Sequence, residues 1–199
     1  MNQGQLRELY EKLYFHEVES RDKINSRLQI PLTLIVTIVG ATAFLLQNYP
    51  YEEFHLATWH AMFAFFMLAS LIALGFAIFF FSRSWWNNAY TFLPVAADTI
   101  AYEKTLQETY GEFAEKNELV AKYLEAYITN AYVEYSSENA KVNDVRSAYI
   151  HRANASIILT AVLLFCAFLA FYFGGLDRSR VSKPQEVSIS KPVEVRIQR

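Results

Sequence analysis

Three stretches of the chain are almost wholly apolar and contain no Asp, Glu, Lys or Arg: residues 30–46, 57–81 and 155–173. Each is close to or longer than the roughly 18 residues a helix needs to cross a ~30 Å hydrocarbon core. Three such runs within 199 residues exceed what the core of a soluble domain uses, so the pattern predicts three transmembrane helices. Residues 30–81 read as a hairpin entered through Pro31, and residues 153–174 as the third span. Elsewhere the periodicity is helical and mixed with charge. Residues 1–29 place Leu6, Leu9, Leu13, Val18, Ile24 and Leu28 on an approximate stripe beside Tyr10 and Tyr14. That predicts an amphipathic helix, packed on other helices or lying in the membrane plane.

Residues 82–152 read as a second helical region. Pro94 opens a helix over 95–110, which Gly111 ends or interrupts. From Lys116 no Gly or Pro occurs until Gly174. A helix of nearly sixty residues, about 85–90 Å long, therefore runs into the third span unless it breaks near Ser136-Ser137. Trp85 and Trp86, following Arg83, read as an interfacial aromatic belt with a cation reaching to water. Residues 175–199 change character: Val187, Ile189, Val193, Val195 and Ile197 alternate with polar residues around Lys191-Pro192. The pattern is strand-like, with a tail lacking fixed structure as the alternative. The fold class is an all-α membrane protein with three transmembrane helices, a cytoplasmic helical region and a short β-like C-terminal tail.

Charge sets the expected orientation. Five Lys or Arg precede the first span and seven fall between residues 82 and 154, whereas the connection at 47–58 has none and carries Glu52 and Glu53. Basic flanks stay inside, so the N-terminus is expected in the cytoplasm of a bacterial cell, whose inner membrane the chain spans several times. Three crossings put the tail outside, against the bias of its six basic residues. About 29 mostly polar residues precede the first run, so no cleavable signal peptide is expected.

Catalytic motifs are lacking. There is no Gly-rich phosphate loop, HExxH, CxxC or GxSxG. His16, His55, His60 and His151 have no paired metal-ligand spacing, and the single Cys166 lies within the third run. No enzyme activity, cofactor or metal is expected. The N-terminal segment is neutral and residues 82–154 carry ten acidic against seven basic residues, which excludes a broadly basic nucleic-acid surface.

The spans hold no Asp, Glu or Lys of the kind that proton-coupled transporters place at membrane depth. They hold small and hydroxylated residues instead: Thr33, Thr37 and Gly40 on one face of the first, Ser70 and Gly75 in the second, Thr160 in the third. Such residues permit close helix packing or, in an assembly of several copies, form a weakly polar pore wall. Just before the third span, Asn139, Asn143, Arg146, Ile150 and Asn154 share one helix face, with Arg152 beside it. Arg21, Asp22, Lys23, Asn25 and Arg27 form a matching set before the first. These residues could bond partner helices, line a vestibule or hold an anionic ligand.

The stretches LRELYEKLYFHEVESRDKINSRLQIPLTLIVTIVGATAFLLQ, NAKVNDVRSAYIHRANASIILTAVLLFCAFLAFYF and KPQEVSISKPVEV resemble small membrane effectors of bacterial anti-phage systems. The plan is similar to the SLATT-like effectors and to the membrane effectors of Hailong systems. The resemblance implies a homo-oligomeric channel in the lipid bilayer that depolarises the inner membrane. It also implies gating by a nucleotide or oligonucleotide ligand made by an associated nucleotidyltransferase. A non-conducting scaffold or sensor that recruits a partner through its cytoplasmic helices is the alternative.

Overall fold

The computed structural model describes residues 3–51 and 58–178, and among these no strand occurs. The strand-like pattern after residue 178 and the acidic connection at 52–57 lie outside the described residues. Five helices follow in order: α1 (Gln3–Arg27), α2 (Gln29–Asn48), α3 (Thr58–Trp85), α4 (Ala96–Thr109) and α5 (Lys116–Phe173). Three helical stretches are long and apolar enough to cross a membrane, lying in α1–α2, α3 and α5. The chain is a multi-pass membrane protein.

Single residues punctuate these helices. Pro31 has no N–H for the Arg27 carbonyl and its ring crowds that carbonyl, so the chain turns at Leu28 between α1 and α2. There the Leu28 amide donates to the Asn25 carbonyl at 3.3 Å instead of continuing the α-helical ladder. Asn87, at φ 64, stops α3, in the left-handed region that Asn tolerates better than most residues. α5 ends on Gly175 at φ 63. The Leu176 amide reaches the Phe171 carbonyl at 3.0 Å and the Gly175 amide reaches that of Tyr172 at 3.3 Å. This pair of bonds closes the helix, and Leu176 is buried with Phe171 beneath the turn. Nothing interrupts α5 between: its 58 residues make a rod of about 87 Å. Ser136 and Ser137 both donate to the Val133 carbonyl, and the helix runs straight through them.

α5 is the spine. α1 and α2 run parallel to it, as Tyr14 beside Tyr132 and Asn25 beside Arg146 show. α3 and α4 run antiparallel, with Phe63 by Phe171, Phe80 by Tyr149 and Tyr102 by Tyr127. In the membrane half of the α3–α5 contact Ala77, Ala153, Thr160 and Ala167 are each 0 % exposed, set among larger buried residues such as Met67, Leu74, Ile157 and Leu164. Small side chains let two backbones approach closely where lipid supplies no hydrophobic drive. Around this seam Phe44, Phe65, Phe76, Phe79 and Phe165 stay exposed. In water such a belt would aggregate; in a bilayer it meets acyl chains. The stalk half, residues 116–152 of α5 with α1 and α4, is held by aromatic and polar pairs. The apolar stripe expected of α1 holds at Ile24 and Leu28, which are buried with Tyr14 beside them, but not at Leu9 and Leu13, which face outward.

Candidate functional site

The stalk joins the spans where α3 ends and the chain crosses, as the non-helical segment 86–95, to the start of α4. α5 faces this crossing with Asn139, Asn143 and Arg146, one or two turns apart on a single side and all buried. Each is tied to a different part of the chain. Asn139 treats Thr91 as a strand neighbour: its Oδ1 accepts from the Thr91 amide and its Nδ2 donates to the Thr91 carbonyl, both at 2.9 Å. Glu138 accepts from the Thr91 hydroxyl at 2.7 Å, and the Leu93 amide donates to the Tyr14 hydroxyl at 3.2 Å. A segment without secondary structure is thereby given partners for its backbone, as buried polar groups require.

Arg146 is the centre of the joint. Only 4 % exposed, its guanidinium donates through Nε to the Ser84 carbonyl at 3.0 Å, through Nη1 to the Tyr90 hydroxyl at 2.7 Å and through Nη2 to Asn25 Oδ1 at 2.7 Å. These partners come from α3, the crossing and α1. A planar fork of donors suits three acceptors in different directions, which an ammonium group on the same spot serves poorly. Among the described residues no carboxylate forms an ion pair with it. Compensation comes from the last turn of α3, whose carbonyl end carries partial negative charge, and from the face of the Tyr90 ring 5.7 Å away.

A carboxylate is reached by relay. Arg146 donates to Tyr90, Tyr90 donates to Asn143 Oδ1 at 2.7 Å, and Asn143 Nδ2 donates to Glu17 Oε2 at 2.9 Å. Every bond in the chain points from cation to anion, so each polarises the next in the same sense. Asn143 also holds the Glu17 carbonyl at 2.9 Å. α1, the crossing and α5 are one polar unit at the border of the apolar zone.

The candidate residues divide accordingly. Asn139, Asn143 and Arg146 are committed to intramolecular bonds. Arg21 lies over the rings of Tyr90 and Phe92 at 5.6 and 5.4 Å, Arg152 stacks on Tyr149 at 5.8 Å, and Lys23 pairs with Glu19 at 3.1 Å. Arg27 and Asn154 are exposed and line one cleft of about 310 Å³ between α1–α2 and α5. Ser70 and Thr160 are buried within the α3–α5 seam, the Ser70 hydroxyl 3.4 Å from the Thr160 carbonyl. Thr33, Thr37 and Gly40 lie on an uncovered face of α2. Both Thr hydroxyls donate one turn back, to Gln29 and Thr33 carbonyls, at 3.0 and 2.9 Å, and a Cβ on Gly40 would meet nothing within 4 Å.

Glu17, Ser84, Tyr90 and Thr91 complete the joint without having stood out in the sequence. Tyr90 and Thr91 sit in a non-periodic segment, and Ser84 contributes only a main-chain carbonyl, so side-chain type carried no sign of it. Comparison with protein-family models, curated proteins and solved structures finds no match to this chain.

Proposed function

We propose that the chain is the subunit of an oligomeric channel in a bacterial inner membrane, opened from its cytoplasmic stalk during anti-phage defence and acting by depolarisation. The observation that carries this reading is the Arg146 joint on an unbroken α5. A ligand or partner that moves α1 or the crossing moves the same helix that forms the third span. Arg21, Lys23 and Arg152 supply cationic groups at the rim of the joint, suited to the phosphates of a nucleotide or short oligonucleotide made by an associated nucleotidyltransferase. Three helices enclose no pore alone, so several copies must each contribute a wall. α2 offers its uncovered Thr33, Thr37 and Gly40 face, where the hydroxyl oxygens keep lone pairs for water or a cation. The defence setting and the gating ligand follow from the resemblance to anti-phage effectors, and the N-in orientation from the basic flanks and acidic outer connection.

The test is ion flux from liposomes holding the purified full chain. The proposal expects flux that rises with a nucleotide product and falls when Thr33 and Thr37 are both replaced by Val. Absence of flux from a correctly folded oligomer rejects it. A second reading, a non-conducting scaffold or sensor, is favoured by the withdrawal of Ser70 and Thr160 into the intramolecular seam. α3 and α5 then turn Phe65, Phe76, Phe79 and Phe165 outward, as a lipid-facing anchor does. A monomeric mass in detergent supports that second reading.

A further inference from the structure

The cleft between α1–α2 and α5 has two kinds of wall. Arg27, Ser147, His151 and Asn154 supply its polar side, and Ile30, Pro31 and Ile150 its apolar floor. The depth of this cleft is fixed by sequence: Ile30 begins the first apolar run and Asn154 is the last polar residue before the third. The cleft therefore straddles the boundary between water and hydrocarbon. Its polar side chains are also uncommitted, for among the described residues Arg27, Ser147, His151 and Asn154 have no side-chain hydrogen bond or ion pair. Every neighbouring cation at this level is engaged: Arg146 by three acceptors, Lys23 by Glu19, and Arg21 and Arg152 by aromatic rings.

We infer that this cleft binds the phosphate of an anionic phospholipid from the leaflet on the stalk side. The guanidinium of Arg27 pairs with the phosphate, Ser147, His151 and Asn154 donate to its oxygens, and the first methylenes of an acyl chain lie on Ile30, Pro31 and Ile150. Charge selects the anionic lipid, because no carboxylate lines the cleft and a zwitterionic headgroup would bring a second cation towards Arg27. The adjoining cleft of about 260 Å³ shares Arg27 and Ser147 but includes Glu17 and Asp144, which makes it the poorer site for an anion. The inference rests on the spans alone and is independent of conduction.

The full chain, equilibrated in detergent with equal amounts of phosphatidylglycerol and phosphatidylcholine, is measured by native mass spectrometry for retained lipid. Phosphatidylglycerol is enriched, Arg27→Gln lowers the enrichment about five-fold, the scale of one basic residue at an anionic surface, and Asn154→Leu lowers it in the same direction. Arg83→Gln, at the same border but on α3, leaves it unchanged. Equal retention of the two lipids, or an equal loss in Arg83→Gln, overturns the site. A second arm measures thermal unfolding with inorganic phosphate or ATP in place of lipid. No stabilisation is expected; stabilisation by these soluble anions that vanishes in Arg27→Gln reassigns the cleft to a soluble ligand and overturns the lipid assignment. Arg27 is exposed and unpaired, so its variant folds, and the circular dichroism melt checks this directly.

Discussion

Residues 153–173 and 116–152 belong to one uninterrupted helix, yet the two stretches are secured by opposite means. In the membrane half α5 is held chiefly by dispersion contacts: Ala153, Ala167 and Ala170 are buried against α3 among Phe63, Met67, Leu74, Ile157 and Leu164. At the border and in the stalk it is held by long polar and aromatic side chains, with Arg146 reaching three segments at once, Tyr110 stacked on Tyr123 and Tyr102 packed at a tilt on Tyr127. The difference follows from solvent. Lipid rewards dispersion and penalises an unpaired polar group, so close packing of small residues is the available adhesive. Water rewards apolar burial, and specific hydrogen bonds are needed there to fix a segment with no secondary structure. Van der Waals seams shift by sliding, whereas a polar joint has discrete arrangements, which places any switching element at the border.

Substitutions separate the two regimes. The largest effect is expected at Arg146. Arg146→Met removes three hydrogen bonds at once, to Asn25, Ser84 and Tyr90, costing ~3 kcal/mol or more, read as a lowered unfolding midpoint of the detergent-solubilised protein. Arg146→Lys recovers only part of this, since an ammonium cannot serve the three directions. A fully stable Arg146→Met would erase the distinction between the halves. Next comes the seam: Ala167→Leu adds bulk where exposure is 0 % and costs ~1–3 kcal/mol by the same melt. Tolerance there would mean that the α3–α5 contact is loose. Asn139→Ala removes both bonds to the Thr91 main chain and costs ~1–2 kcal/mol, with faster amide exchange confined to the crossing. The smallest change in stability, within ~0.5 kcal/mol, is expected for Thr33→Val with Thr37→Val on the uncovered face of α2. Their consequence should appear in flux and not in the melt.

Much of this arrangement is legible in the sequence because it depends on local rules. The spans follow from uncharged length, the continuity of α5 from the lack of Gly and Pro between Lys116 and Gly174, and its end from Gly174-Gly175. The alignment of Asn139, Asn143 and Arg146 on one face follows from helical spacing. Their partners do not, because Tyr90, Ser84 and Glu17 lie 53, 62 and 126 residues from the side chains they meet. Periodicity is also silent on which small residues face another helix of the same chain. Ser70 and Thr160 lie in the seam while Thr33 and Thr37 do not, and all four read alike as hydroxyls in an apolar run. The stripe of α1 holds only in part for a related reason. Its helix docks through Tyr14, Ile24, Leu28 and polar bonds, so Leu9 and Leu13 are left outside.

Tied to α5 through Thr91 and Tyr90 and to α1 through Leu93, the crossing should be held to α5 as firmly as a helix is held to itself. Residue-resolved amide hydrogen exchange of the full chain in lipid nanodiscs tests it directly, at the Thr91 and Leu93 amides, which donate to Asn139 and Tyr14. Both are expected to exchange as slowly as the neighbouring helical amides of α5, and Arg146→Lys to speed them together. Exchange at the rate of an open loop in the unaltered protein would contradict it.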